Sequence, residues 1–143
     1  MESLNELMEQ WVPFNKFLGI KVDAARRGHV RLRLPFRPEF IGDPLRGALH
    51  GGVISTMADV AGGCAVWTEI HDPMKGRVST IDLRIDYLRP GQKEALVAEA
   101  NVVRQGNRVG VADVRLFHET TPDVTIATGK GVYNIKLVRE TKD

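Results

Sequence analysis

A glycine pair that opens an apolar helical run with one carboxylate is the part of this chain best suited to chemistry. The segment reads His50-Gly51-Gly52-Val53-Ile54-Ser55-Thr56-Met57-Ala58-Asp59-Val60-Ala61-Gly62-Gly63. Glycines let a ligand approach the backbone closely, and the free N–H groups of a first helical turn favour negative charge. We therefore expect the start of this helix to stabilise an oxyanion.

Asp59 is the carboxylate within that run. Residues 53–66 are mainly Ala, Gly, Val, Ile, Met and Cys, which predicts a helix that is buried nearly all round. A buried carboxylate is costly unless it is paired, hydrogen-bonded or solvated by a cleft. Two interpretations are open at this point: a structural hydrogen bond to a neighbouring turn, and a catalytic role, which the adjacent glycine pair favours.

The composition predicts one globular domain over residues 1–143, with 43% hydrophobic residues to form its core. The net charge of +2 is spread along the chain, which argues against a nucleic-acid partner. Cys64 is the only cysteine and the four histidines are scattered, so we expect no disulfide and no metal site. The chain shows neither a signal-peptide pattern nor a long apolar run, which predicts a cytoplasmic protein without a membrane segment.

The elements that must position Gly51 and Asp59 are predicted from periodicity. Ser3 and Glu6 form a capping-box pattern for a short amphipathic N-terminal helix that ends at Pro13. Period-two alternation predicts six strands, over residues 19–26, 29–36, 78–88, 95–104, 109–118 and 124–138. Residues 38–47 are predicted to form a loop. Arg89-Pro90-Gly91 ends the third strand, and hairpin turn signals between the strands that follow predict an antiparallel meander. We therefore expect an α+β fold whose six-stranded antiparallel sheet curls around one long helix.

The chain resembles the hotdog-fold acyl-CoA thioesterases, in particular the branch around phenylacetyl-CoA thioesterase. The resemblance covers nearly the whole chain in order, and three stretches carry it: Phe17-Leu18-Gly19-Ile20, His50-Gly51-Gly52 with Ala58-Asp59, and Thr80-Ile81-Asp82-Leu83-Arg84-Ile85-Asp86-Tyr87-Leu88-Arg89-Pro90. It implies a hotdog fold and hydrolysis of a coenzyme A thioester to a carboxylic acid and free coenzyme A. It also implies that no cofactor is needed, and that the protein is a homodimer or a homotetramer built from two dimers.

The resemblance implies roles for individual residues. It assigns the backbone N–H of Gly51 to the thioester oxygen, and Asp59 to the role of nucleophile or of the base that activates water. Thr80 would help to place that water or the intermediate. We interpret His50 as structural, with an imidazole that fixes the loop before Gly51. Because thiolate is a good leaving group, the reaction needs no strong general acid.

Substrate binding is predicted at two places. Gly52 continues the oxyanion-binding turn, while Arg104, Gly106 and Arg108 surround a hairpin turn that could bind the phosphates of coenzyme A. An ordinary hairpin with solvated arginines is the alternative for that turn. One position departs from the related enzymes, which commonly carry Asn or Gln seven residues before the oxyanion glycine; this chain has Pro44 there.

Two other functions remain open from the sequence: a non-catalytic acyl-CoA-binding hotdog protein, and a hotdog dehydratase in which His50 and Asp59 move a proton. The helix geometry adds a prediction about assembly. Asp59 lies eight residues beyond Gly51, which corresponds to about 12 Å along one helix. A single thioester needs both groups within about 3.5 Å of its reacting atoms, so a two-fold axis must bring them together from two chains.

Overall fold

The computed structural model describes residues 2–138. Its helical segments are α1 (Glu2–Glu6), a π-helical turn (Leu7–Trp11), α2 (Pro13–Leu18), α3 (Gly51–Thr68) and two 3-10 turns (Pro38–Phe40 and Pro73–Lys75). The strands are β1 (Lys21–Arg26), β2 (His29–Leu34), β3 (Ile41–Asp43), β4 (Ala48–Leu49), β5 (Gly76–Tyr87), β6 (Leu96–Gln105), β7 (Val109–His118) and β8 (Ala127–Leu137).

One antiparallel six-stranded sheet in the order β1-β2-β6-β7-β8-β5 packs against α3, which confirms the predicted architecture. Met57, Ala58 and Ala61 lie on the sheet-facing side of α3 and are fully buried. Small side chains at these positions let the helix approach the curved sheet closely. α3 contacts all six strands of this sheet, so its residues are held firmly relative to β5.

The predicted meander is confirmed for β6, β7 and β8, and β5 lies outside it. β6, β7 and β8 are sequential neighbours, but β5 pairs with β8, and β6 lies between β2 and β7. The turn signal Arg89-Pro90-Gly91 ends β5 without folding the chain back onto it, because residues 88–95 carry the chain across to β2. As a result β5 is an edge strand of the sheet.

The N-terminal segment also differs from the prediction. The helix begins at Glu2, so Ser3 lies inside it and no capping box forms. Pro13 begins α2 instead of ending the helical region, since proline fits the first turn of a helix, where its missing N–H costs nothing. Gly19 ends α2 with a positive φ of 83°, and β1 therefore starts at Lys21.

Residues 38–47, predicted as a loop, contain a 3-10 turn and the short β3, which pairs with β4. The Asp43 carboxylate accepts hydrogen bonds from the backbone N–H groups of Leu45 and Arg46 and so closes the turn between β3 and β4. The His50 N–H then donates to the Phe40 carbonyl at 2.8 Å. These bonds fix the direction in which the chain enters α3.

Candidate active site

The start of α3 leaves one backbone N–H available. His50 is the N-cap residue, and its Nδ1 accepts a hydrogen bond from the Gly52 N–H at 2.8 Å. The N–H groups of Val53 and Ile54 donate to the His50 carbonyl. Within residues 2–138 no acceptor takes the Gly51 N–H. Gly52 therefore has no free donor, and Gly51 is the residue of this turn that can donate to an oxyanion.

Tyr87, at the end of β5, supports this turn from the other side. Its hydroxyl donates to the Gly51 carbonyl at 3.1 Å. A Cβ on Gly51 would lie 3.4 Å from the Tyr87 ring, so the backbone and the ring are in close contact. Sequence reasoning did not single out Tyr87, because a tyrosine in a strand is unremarkable until its partner is known.

Asp59 is half-buried, which corrects the expectation of a helix buried nearly all round. The sheet covers only one side of α3, and the opposite side, which includes Val60, Gly63 and Trp67, is partly accessible in the single chain. The Thr80 hydroxyl donates to Asp59 Oδ1 at 2.7 Å. The Tyr133 hydroxyl also interacts with this carboxylate, and the carboxylate lines a cleft in which a water or substrate atom can reach it.

A β-bulge turns Thr80 towards Asp59. Simple alternation along β5 puts Thr80 on the same face as Asp82 and on the opposite face from Ile85. The register of β5 with β8 shifts between Thr80 and Asp82, and the extra residue, Ile81, is 58% exposed. A bulge reverses the alternation of the strand beyond it, so Thr80 and Ile85 both face the helix side. The sequence pattern alone could not reveal this reversal.

Asp59 and Thr80 open into a cleft of about 240 Å³ between α3, β5 and the N-terminal helices. Its lining is mostly apolar and comprises Met8, Val12, Asn15, Asp59, Val60, Gly63, Cys64, Trp67, Val78, Ser79, Thr80 and Tyr133. Such a wall suits the hydrocarbon part of a ligand, with the carboxylate placed at its polar end.

Tyr133 fixes the backbone at Asp59. Its hydroxyl donates to the Asp59 carbonyl at 3.0 Å. Burial, together with the negative charge of Asp59, raises the pKa of Tyr133, so the phenol stays protonated and remains a donor. A Cβ at Gly62 or Gly131 would overlap with the Tyr133 ring or hydroxyl. These glycines were the signal in the sequence that a large side chain packs here.

Cys64 also lines the cleft, but as a neutral group. Burial raises the pKa of its thiol to about 12. The thiolate form, which is the nucleophile, is therefore scarce at neutral pH. Asp59 is consequently the more reactive group of the cleft.

Gly51 and Asp59 do not meet within one chain. Gly51 lines a second cleft with Tyr87, Leu88 and Gly91, and this cleft does not include Asp59. The two groups have the chemistry of one site, yet they face different clefts along the same helix. The single chain therefore presents a free backbone donor and an accessible carboxylate in two separate clefts.

The predicted phosphate-binding turn lies beyond the C-terminal end of α3. Arg104, Gly106 and Arg108 are exposed there. The Gly106 N–H donates to the Val109 carbonyl at 2.8 Å, so the turn offers its arginines and not this amide to a ligand. Pro44 is exposed in the turn after β3, and the carboxylate of neighbouring Asp43 is engaged by that same turn.

The part of the chain that the structure describes lacks two further features, a metal site and a membrane-spanning helix. No group of three His, Cys, Asp or Glu side chains there could hold a metal ion. Across the same residues, no helix has the length and apolarity required to cross a bilayer.

Comparison with known proteins identifies the family. A model of the thioesterase superfamily matches residues 46–125. The medium/long-chain acyl-CoA thioesterase YigI of Escherichia coli is 34% identical over 139 residues, which cover 90% of each chain. Its counterpart from Salmonella typhimurium is 33% identical with the same coverage.

Solved structures agree with this assignment. A protein from Shewanella oneidensis related to the thioesterase superfamily has a TM-score of 0.83 and 32% identity, with 93% of each chain covered. A thioesterase from Haemophilus influenzae has a TM-score of 0.82 at 21% identity, covers 99% of this chain and 94% of its own, and shows the same fold. The chain therefore belongs to the thioesterase superfamily and has the hotdog fold.

Proposed function

We propose that this protein hydrolyses acyl-CoA thioesters at sites shared by two protomers, with Asp59 as general base and the Gly51 N–H as oxyanion donor. The observation that carries the proposal is the Asp59 carboxylate, held by the Thr80 hydroxyl at 2.7 Å in the wall of a mostly apolar cleft. The free Gly51 N–H at the positive end of α3 supplies the complementary group.

The reaction follows from these groups. Asp59 takes a proton from water, and the water oxygen forms a bond to the thioester carbon. The carbonyl electrons move to oxygen, where the Gly51 N–H stabilises the charge; loss of one such donor typically costs about 3 kcal/mol of transition-state stabilisation. When the carbonyl re-forms, the C–S bond breaks and coenzyme A leaves as a thiolate. The thiolate takes up the proton that Asp59 removed from the water.

The shared site is supported by the way α3 lies along β5. The two elements run in opposite directions, since Gly51 contacts Tyr87 while Asp59 bonds to Thr80. If the edges of two β5 strands pair around a two-fold axis near Leu83, the partner's Tyr87 lies opposite residues 78–80. The partner's Gly51 is then beside the cleft that contains Asp59, and each dimer has two equivalent sites.

A complementation experiment tests the sharing. Gly51→Val and Asp59→Ala each remove one half of every site in a pure dimer. Refolding the two variants together at equal amounts makes about half of the dimers mixed, each with one intact site, so about a quarter of the parental activity returns. Mixed dimers that are detected by mass spectrometry but remain inactive would contradict a site shared in this way.

We further propose that the acyl group is a medium-length chain, in line with the apolar cleft and with the similarity to medium/long-chain acyl-CoA thioesterases. A panel of acyl-CoAs from C4 to C16, with phenylacetyl-CoA as the aryl substrate, is assayed with a thiol reagent.

The role of Asp59 is tested with the same assay. Asp59→Asn should lower kcat by about two to four orders of magnitude, whereas the matched variant Asp113→Asn, on the outer sheet face, should not. Binding without turnover by the parent protein would instead favour a non-catalytic function.

Dehydration receives less support from the site. It requires a histidine that can exchange a proton with the substrate, but Nδ1 of His50 already accepts the Gly52 N–H. A role of His50 through its other nitrogen would show as a loss of activity in His50→Asn, which can retain the N-cap bond.

We propose that Arg104 and Arg108, with the turn at Gly106, contact the phosphates of coenzyme A. The support is their position: the Ile135 N–H donates to the Arg108 carbonyl, and Ile135 pairs with Val78 on β5. The turn therefore lies near the end of β5 that would meet the partner's Gly51. Arg108→Ala should raise KM for acyl-CoA more than for acyl-dephospho-CoA, and Arg26→Ala, on the opposite sheet edge, should change neither. Equal effects on both substrates would remove Arg108 from the 3′-phosphate site.

A further inference from the structure

Asn15 is a buried residue whose side-chain amide bonds only weakly to the rest of the fold. Its side chain, in α2, is only 3% exposed. Its one side-chain hydrogen bond within residues 2–138 is a long contact of 3.8 Å from Nδ2 to the Met8 sulfur. An asparagine side chain offers two N–H donors and one carbonyl acceptor, and leaving such groups unsatisfied inside a protein is costly. The amide faces the same cleft as Asp59 and Thr80.

The N-terminal helices place Asn15 towards the carboxylate end of that cleft. α1 contacts the Pro73–Lys75 turn, which lies beyond the C-terminal end of α3. At the other end of the segment, the Arg37 guanidinium donates to the Phe17 carbonyl and stacks on the Phe40 ring. The Phe40 carbonyl accepts from the His50 N–H, so Phe17 lies near the start of α3. The segment therefore runs antiparallel to α3, and residue 15 lies nearer to the Asp59 end than to the Trp67 end.

We propose that Asn15 holds the hydrolytic water for Asp59, a role that rests on the function proposed above. The amide N–H donates to the water oxygen while the water donates one proton to Asp59 Oδ2. This orients a lone pair towards the thioester carbon. In the attack the water oxygen bonds to that carbon and its proton passes to Asp59, while Asn15 is chemically unchanged. The stabilisation forgone by an unsatisfied amide in the free protein fits the known trade-off between stability and activity.

The test compares two asparagines of the same region. Asn15→Leu keeps the side-chain size and removes the amide. We expect an unchanged or higher melting temperature, a kcat at least about tenfold lower and a KM within about twofold, since the water contributes to the transition state and not to substrate binding. Asn5→Leu is the control: the Asn5 Oδ1 is also buried without a partner, but it does not line the cleft. Its kcat should stay within about twofold of the parent.

The double variant Asn15→Leu/Asp59→Asn distinguishes a water bound by both residues from a nonspecific loss of activity. In the Asp59→Asn background, Asn15→Leu should reduce kcat by less than about twofold, because both residues act on one water. Any one of three results would overturn the role of Asn15. The kcat losses of the two single variants could multiply in the double variant, Asn15→Leu could leave kcat unchanged, or Asn5→Leu could lower kcat as much as Asn15→Leu does. If Asn15→Leu does not fold, Asn15→Ala is judged by the same criteria. Failure of the proposed function is separate: it would appear as a parent protein inactive on every acyl-CoA, or as an Asp59→Asn variant with parental kcat.

Discussion

The two edges of the sheet differ in length, in cover and in apolar exposure, although each carries a bulge and charged side chains. β1 has six residues, a bulge between Val22 and Ala24, and charged side chains at Lys21, Asp23 and Arg26. Glu9 also accepts the Val22 N–H at 3.1 Å, which occupies part of the open edge. β5 has twelve residues and exposes Ile81 and Tyr87 by more than half of their surface.

This difference shows which edge can take another strand. A short edge that a neighbouring side chain covers resists strand addition, whereas a long edge with exposed apolar residues invites it, and charges and a bulge are common to both edges. β5 is also the strand whose Thr80 and Tyr87 touch the two halves of the site. In the proposed dimer, β5 therefore forms the interface between the protomers and also brings Gly51 of one protomer to Asp59 of the other.

The largest expected effect comes from charging the β5 edge. Ile81→Lys should give a monomer and lower kcat/KM by at least about 100-fold, because each chain then keeps only half of a site. Ala24→Lys places the same charge on β1 and should leave both quantities unchanged. Light scattering after size-exclusion chromatography measures the mass and also separates a dimer from a dimer of dimers. A monomeric Ile81→Lys protein with full activity would contradict the link between edge and site.

Thiol labelling compares the edges without disrupting them. A cysteine introduced as Ala24→Cys should react quickly with a maleimide, while one introduced as Ile81→Cys should react about tenfold or more slowly in the assembled protein. The native Cys64 gives little background at pH 7, because burial raises its thiol pKa to about 12. Equal labelling rates at both edges would mean that β5 is as open as β1 in solution.

A smaller effect is expected where β5 meets the start of α3. Tyr87→Phe removes the hydroxyl that donates to the Gly51 carbonyl and should reduce kcat by about two- to tenfold, the usual range for one hydrogen bond. The dimer mass should not change, because the ring remains. A variant with parental kcat would show that this bond does not help to hold Gly51.

The smallest effect is expected on β1. Asp23 and Arg33 form an ion pair at 3.2 Å with partly exposed side chains, and such pairs contribute at most about 1 kcal/mol. Asp23→Asn should lower the melting temperature by only about 1–4 °C, with no change in mass or activity. An effect on assembly here would mean that β1 also takes part in an interface.

Local pattern predicted much of this molecule because its strands alternate clearly; β7 has the predicted bounds of residues 109–118. The position of β5 could not be derived in this way, since a turn signal tells where a strand ends and not which strand it joins. Pro13 illustrates a second limit, because proline can end one helix or begin the next.

For the site, the glycine pair and Asp59 were visible in the sequence, and the resemblance suggested Thr80. The bulge at Ile81 and the hydroxyls of Tyr87 and Tyr133 were not visible, because they depend on contacts between distant segments. Whether the predicted roles hold is decided by the kinetic experiments above.

The separation of Gly51 and Asp59 into different clefts has a consequence for the rate law. In the proposed dimer, a freshly synthesised chain is inert until it meets a second one. At concentrations below the dissociation constant, activity then rises with the square of the protein concentration, not in proportion to it. Expression of an Asp59→Ala copy beside the normal gene would leave the number of intact sites unchanged, because every normal Asp59 still meets an intact Gly51 on either partner, so such an allele would act recessively.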